Sequence, residues 1–219
     1  MNTQIAQKKE PMRQAGRRAW VLPTALILLS LIPVLAGSVR VGELAGSAEV
    51  TAANARFFDS PVPVVSHIIG ATLYSLLGAF QFSASLRRGR WHRVAGLVLI
   101  PAGLITAVSG LWMTVAYDLP ASDGDALLVV RLIFGLGMLL ALLRGVRSLA
   151  RRNFSSHGAW MTRAYAIGVA AGTQAVIMIV PSLVLGELDA TTKAVLMTTA
   201  WVLNLAVAEH AIRRRAGRR

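Results

Sequence analysis

The stretch ALLVVRLIFGLGMLLALLRGVRS, residues 126–148, decides the fold of this chain. It is an almost continuous apolar run of the length that a helix needs to cross the hydrocarbon of a bilayer, about 20 residues. Arg131 is the one charged residue of this run before Arg144 and Arg147, which lie near its end. Because the run lacks the alternation of polar and apolar residues that marks a barrel strand, it predicts a transmembrane helix.

Five further runs of similar length and composition flank this one. The whole chain is 55% hydrophobic and 15% charged, a balance typical of a protein that has lipid as its solvent. We therefore predict an all-α polytopic membrane protein with six transmembrane helices, of which helices 2–5 form an up-and-down four-helix bundle. The predicted spans are residues 20–39, 62–84, 94–117, 126–148, 160–185 and 194–212.

The short polar ends of the chain complete the predicted organisation. Residues 1–19 form a basic cytoplasmic N-terminal segment, residues 20–212 the six-helix transmembrane domain, and residues 213–219 a basic cytoplasmic tail. No connection is long enough to hold a soluble catalytic domain, so any chemistry is expected within the helices or at their mouths.

The distribution of charge predicts the orientation. The formal net charge is +13, but the basic residues lie in short clusters between the apolar runs, which is unlike a nucleic-acid-binding surface. With the N-terminus inside, nineteen basic residues fall on the cytoplasmic side and three outside, while eight of the ten acids fall outside. The positive-inside rule therefore predicts that both termini are cytoplasmic, and this simple pattern, together with the family resemblance of the motifs, favours the inner membrane of a bacterium.

Two histidines are candidate haem ligands. The chain has no cysteine, which excludes thiolate sites. His92 and His157 begin the third and fifth spans, which lie diagonally in the predicted bundle and start on the same side. Since the iron of a b-type haem takes axial ligands from both faces, these two could hold one haem, with Arg93, Arg163 and Arg88 near its propionates. The alternative is that histidine and arginine only anchor helix ends at the headgroups.

Four other polar residues lie within or near the spans. His67 has no histidine at its depth in the fourth span, where Arg131 stands. A guanidinium in a span is costly, so Arg131 is expected to pair with an external acid such as Asp59, to bind a lipid headgroup or quinone oxygen, or to snorkel towards water. Gln81 and Gln174 are expected to form hydrogen bonds between helices.

Small residues and one acid allow two further interpretations. Gly103 and Gly110, with Gly168 and Gly172, predict close packing of the third span against the fifth. Glu209 lies near the predicted depth of His92 and His157, which leaves open a cytoplasmic metal site.

Several motifs together give a family resemblance. The chain resembles the DUF2306 group of predicted bacterial membrane proteins, a group of unknown function, over most of residues 40–210. The resemblance implies that His67, His92, Arg131, His157, Arg163 and Gln174 belong to the family's pattern, while His210 stands where relatives often have tryptophan. The matching segments are Arg56-Phe57-Phe58, His67, Gly78–Phe82, Trp91-His92-Arg93, Ser109–Met113, Arg131-Leu132, His157–Tyr165, Gly172-Thr173-Gln174 and Ala208-Glu209.

Three functions are compatible with these residues. The preferred hypothesis is a small redox protein that holds one haem b between His92 and His157 and exchanges electrons with quinone or a partner protein. The alternative is a non-enzymatic transporter of a small solute or lipid, built around Arg131 and the polar residues of the second and fifth spans, or an accessory subunit. The third is a metal-dependent membrane hydrolase. The oligomeric state is left open.

Overall fold

The computed structural model of the chain is helical throughout. It describes residues 3–46, 48–83, 86 and 89–217, with the backbone alone for 3–19 and 121, and no strand occurs in these ranges. Short 3₁₀ turns at Phe80–Phe82 and Ala121–Asp123 accompany eight α-helices. These are α1 (Thr3–Ala45), α2 (Ala55–Asp59), α3 (Pro61–Ala79), α4 (Arg90–Ala116), α5 (Gly124–Ala150), α6 (Phe154–Gly168), α7 (Ala170–Leu185) and α8 (Ala190–Ala216).

Within the described residues, six stretches are long and apolar enough to cross a membrane, which confirms the predicted number of spans. Spans one to six are Trp20–Ala45, Pro61–Phe82, Arg90–Ala116, Gly124–Ala150, Phe154–Leu185 and Ala190–Ala216. The predicted segment boundaries at residues 19 and 212 do not coincide with helix ends, because α1 starts at Thr3 and α8 continues to Ala216. Arg87, Arg88, Arg218 and Arg219 lie outside the described residues.

The helices end where the sequence supplies caps. Pro61 occupies the first turn of α3, a position where a missing N–H costs nothing. Asp189 caps α8, and its Oδ1 accepts hydrogen bonds from the N–H groups of Thr191 and Thr192 at 2.9 and 3.0 Å. Gly186 ends α7 with a φ of 74°, in the left-handed region that favours glycine.

Spans two to five form the four-helix bundle, with span two packed on span three and span four on span five. Span one packs on α3 and α7, and span six packs on α5, α6 and α7. The buried core includes Tyr74, Leu99, Leu142 and Tyr165. The arginine-rich end of the bundle is the end at which spans three and five begin; the opposite, acid-bearing end holds Asp123.

Glycines in spans three and five make room for aromatic rings, not for each other. A Cβ added at Gly103 or Gly168 would lie 2.7 or 2.9 Å from opposite edges of the Tyr74 ring, which stands between the two spans. A Cβ at Gly172 would lie 2.1 Å from the carbonyl oxygen of Leu29. The predicted close packing of span three on span five is therefore wrong, because these glycines serve spans one and two instead.

Candidate functional site

Span five is interrupted near its middle at a single residue, and this interruption is called the break. The 32-residue span consists of α6 and α7, which are separated at Val169. The Val169 N–H donates to Tyr165 O at 3.0 Å, and the Gly172 N–H donates to Val169 O at 3.1 Å in a 3₁₀-type turn. Breaks in a transmembrane helix persist only where protein or water satisfies the freed backbone groups, so partners for these groups are expected close by.

Asn204 of span six supplies such a partner and joins the two halves of span five. Its Nδ2 donates to the carbonyl oxygen of Ala166 at 3.1 Å, while its Oδ1 accepts from the Thr173 hydroxyl at 3.0 Å. Gln174, also beyond the break, donates to Met197 O at the long distance of 3.5 Å. Gln174 thus forms the predicted hydrogen bond between helices, but this bond is weak. The shorter hydrogen bonds between spans five and six are those of Asn204.

A cavity of about 110 Å³ lies against the break, between spans one, two and five. This exceeds the volume of about 10–15 Å³ that a single water molecule requires. The break itself contributes Gly168, Val169 and Gly172 to the wall. The polar residues of the lining come from spans one and two, and they are Ser30, His67, Thr72 and Ser75.

His67 is held by span three. Its Nδ1 lies 3.0 Å from the carbonyl oxygen of Thr106 and 3.2 Å from the hydroxyl of Ser109. Because a carbonyl oxygen only accepts, Nδ1 carries the proton in this contact, and the neutral ring keeps a lone pair on Nε2. The glycine at position 110 makes room for the ring, since a Cβ there would lie 3.2 Å from Cε1.

The two candidate haem ligands lie at the arginine-rich end, as predicted. His157 has its Nδ1 2.9 Å from Gly145 O, so its tautomer also leaves Nε2 as an acceptor. His92 is half-buried at the start of α4, where its carbonyl oxygen lies 3.5 Å from Gln81 Nε2. That contact is the interhelical hydrogen bond predicted for Gln81, at the limit of the distance range.

The surroundings of these histidines fit a haem only in part. One helical turn further in, the hydrophobic core already contains Ala95 of span three and Trp160 and Met161 of span five. A macrocycle between spans three and five would have to displace these side chains. The Nδ1 contact of His157 suits an axial ligand, but Trp160 and Met161, one turn further along the same helix, pack against the core.

The arginines predicted to meet haem propionates are differently placed. Arg163 is paired with Glu209 of span six, from Nε to Oε1 at 2.5 Å and from Nη2 to Oε2 at 3.0 Å. This bidentate contact occupies both oxygens of the carboxylate and the Nε–Nη2 edge of the guanidinium. Arg93 is exposed on α4.

The same pairing bears on the metal hypothesis. Glu209 was the carboxylate expected beside His92 and His157, but it binds Arg163. Among the described residues, no group of three or more histidine and acidic side chains is placed to hold a metal ion. A metal-dependent hydrolase would therefore lack a donor set in this part of the chain.

Arg131 lies at the acid-bearing end and pairs with an acid that the sequence did not single out. Its Nη1 lies 2.7 Å from Oδ2 of Asp123, and the other carboxylate oxygen binds Lys193 of span six. The Asp123 residue is 4% exposed. Arg131 therefore pairs with an acid at this end, as expected, but the acid is Asp123 and not the example Asp59, because Asp123 lies at the N-terminus of the same helix and faces span six.

Sequence reasoning missed the break and the contribution of span one. Neither proline nor a charge marks Val169, while Pro181, which could mark a kink, lies inside α7. Ser30 is 1% exposed and reads as an ordinary small residue of an apolar run. The only available signal was the polar pair Thr173-Gln174 beside Gly172, opposite Asn204 in the next span.

The fold and the site define a multi-pass α-helical membrane protein with a small, mainly apolar cavity among its spans that has four polar residues in its wall. The chain belongs to the DUF2306 family, described as "Predicted membrane protein (DUF2306)", whose family model matches residues 64–212. This match confirms the resemblance found in the sequence motifs. No curated protein and no solved structure matches the chain.

Proposed function

We propose that this protein binds a small neutral polar solute at the break in span five and carries it across the membrane. The observation that supports this function is the coincidence, at one depth, of the break in span five with a cavity whose wall contains four polar residues. Irregular backbone deep in a membrane is tolerated only where it is buried in protein or lines a cavity, and transporters use such breaks to build their binding sites.

The lining of the cavity supports a neutral solute. Apart from the titratable His67, no residue described in its wall carries a charge. Ser30 donates to Leu26 O at 2.8 Å and Ser75 donates to Thr72 O at 3.3 Å, so both hydroxyl oxygens keep lone pairs for a donor. Arg131, which the transport hypothesis placed at its centre, is engaged by Asp123 and does not belong to this cavity.

Transport can be tested by filling the cavity. Proteoliposomes of the full chain are expected to equilibrate urea or glycerol faster than protein-free liposomes in stopped-flow light scattering. Ala71, on the cavity wall, would be replaced by phenylalanine, and the matched control is Ala206→Phe, at an exposed position of span six. The cavity variant is expected to lose the flux, and the control to keep it.

Either of two results would overturn the proposal. One is wild-type flux no faster than that of protein-free liposomes for both solutes. The other is equal flux through the Ala71→Phe and Ala206→Phe variants after both are shown to reconstitute in the same amount.

Electron transfer through a haem b is the second candidate, and the tautomer of His157 is what favours it. A bound haem would supply one-electron redox chemistry, and quinone or a redox protein would be its partner. The packing of Trp160 and Met161 against the core and the pairing of Arg163 with Glu209 weigh against it. A pyridine haemochrome spectrum of purified protein, compared with His92→Ala and His157→Ala, tests it: a colourless folded protein rejects the haem.

The cellular placement follows from charge. We place the arginine-rich end in the cytoplasm of a bacterium and both termini on that side, because the basic residues of short loops are retained inside. The acid-bearing end, with Asp123 and Lys193, then faces outwards. A non-transporting accessory subunit with the same topology would have no flux of its own, which the liposome experiment distinguishes.

A further inference from the structure

A second pocket lies at the arginine-rich end, away from the cavity at the break. Its volume is about 480 Å³, and it is formed where span four ends and span five begins. Three arginines, Arg144, Arg147 and Arg151, contribute to its wall together with Trp160. Arg144 and Arg147 lie on α5 and Arg151 is the residue that ends it; because the three are spaced three and four residues apart, their side chains share one face of the helix end.

These like charges are not neutralised by the protein. The four ion pairs among the described residues use other basic side chains, and Glu209 of span six is taken by Arg163. Arg144 instead stacks over the Trp160 ring, with Cζ 5.0 Å from the centroid, and Arg163 lies 4.7 Å from the same centroid. Like charges at this spacing destabilise a helix unless an anion lies among them.

The remaining lining also offers hydrogen-bond donors. The hydroxyls of Ser148 and Ser156 lie 2.9 Å apart and both line the pocket. The chain reverses tightly here: Arg152 has a φ of 56°, and Asn153 Oδ1 accepts from Ser156 N–H at 3.0 Å to start α6. The first turn of a 15-residue helix therefore borders the arginines and adds its positive dipole end.

We infer that this pocket binds a phosphate group. Guanidinium groups match phosphate oxygens in a planar, bidentate geometry, and three of them, with the one hydroxyl proton that the Ser148–Ser156 hydrogen bond leaves, suit an anion with several oxygens better than a halide. Two sources share this chemistry: the headgroup of an anionic phospholipid and a soluble phosphate. Leu143 and Phe154, sequence neighbours of the lining residues Arg144 and Asn153, are 52% and 67% exposed and offer apolar surface to an acyl chain.

The test compares two triple variants with equal loss of charge. In the first, Arg144, Arg147 and Arg151 are changed to glutamine; in the control, Arg213, Arg214 and Arg215 at the end of α8 are changed. Thermal unfolding of the full-length protein is measured with inorganic phosphate at constant ionic strength, and in nanodiscs of phosphatidylcholine with and without phosphatidylglycerol. The apparent affinity of the pocket variant should fall about tenfold or more, since hydrogen bonds to charged groups are strong.

Each outcome decides the inference. Stabilisation of wild type and control by inorganic phosphate, lost in the pocket variant, supports a soluble phosphate. Stabilisation by phosphatidylglycerol alone, lost in the same variant, supports a lipid headgroup. No stabilisation by either, or the same loss in both triple variants, overturns the inference. Should the pocket variant fail to fold, the single change Arg147→Gln, compared with Arg214→Gln, makes the same distinction.

Discussion

Replacing Asp123 by asparagine should lower the free energy of unfolding by about 2–3 kcal/mol. The carboxylate binds Arg131 at 2.7 Å and also Lys193, whose side chains are 24% and 23% exposed. Removing one partner of a fully buried ion pair costs about 3–5 kcal/mol, and an exposed pair contributes about 0–1 kcal/mol. Because Asp123 is buried while its partners reach solvent in part, the cost lies between these ranges.

The matched control is Asp125→Asn, which changes the net charge equally at an exposed position in the first turn of α5. Far-UV circular dichroism during thermal unfolding in detergent compares both variants with wild type. A drop in midpoint for Asp123→Asn alone is expected. Equal midpoints for the two variants would show that the Arg131–Asp123–Lys193 contact does not stabilise the fold.

The same contact predicts an acid-dependent loss of stability. Burial raises the pKa of Asp123, but the hydrogen bonds and charges of Lys193 and Arg131 outweigh it, so this pKa lies below its ordinary value of 3.8. A carboxylate with a lowered pKa stabilises the folded state fully above its ordinary value, and the contribution is lost as the pH falls through the folded pKa. The stability difference between wild type and Asp123→Asn should therefore shrink below about pH 4.

Three further experiments test the fold and its orientation. Gly172→Ala places a Cβ against the backbone of span one and should cost about 1–3 kcal/mol in unfolding free energy; an unchanged midpoint would contradict the close approach. Asn204→Leu leaves the carbonyl of Ala166 without its side-chain donor and should lower the free energy of unfolding by about 1–2 kcal/mol. The control is Ala206→Leu, at an exposed position of the same helix. Since the chain has no cysteine, Ala52→Cys should react with an impermeant maleimide on intact cells and Ser155→Cys only after lysis; the reverse pattern would invert the proposed topology.

The spans could be predicted because lipid imposes one strict rule. A run such as 126–148 must become a helix that satisfies its own backbone, so composition and length sufficed for the six spans and the bundle. This rule could not reveal the break at Val169, because the break depends on a hydrogen bond from Asn204. That residue lies 38 positions beyond Ala166, whose carbonyl oxygen it binds. A partner at that separation cannot be identified from the local pattern.

The side-chain partners at both membrane ends were equally hard to foresee. Several acids lie at the end where Arg131 needs one, and only the packing of span four on span six selects Asp123. Arg163 and Glu209 are both visible in the motifs, yet their pairing across 46 residues appears only in the folded bundle. Residue types were therefore predictable, while the choice among possible partners was set by helix packing.

The place of Ser30 has a consequence for the order of biosynthesis. Span one is made first, yet the surface that Leu29 and Ser30 cover belongs to span five, made about 140 residues later. Until then this face of span one must remain in contact with lipid. It can do so without an unsatisfied polar group, because the Ser30 hydroxyl donates to Leu26 within its own helix. The part of the cavity wall that span one contributes is thus formed before span five completes the cavity.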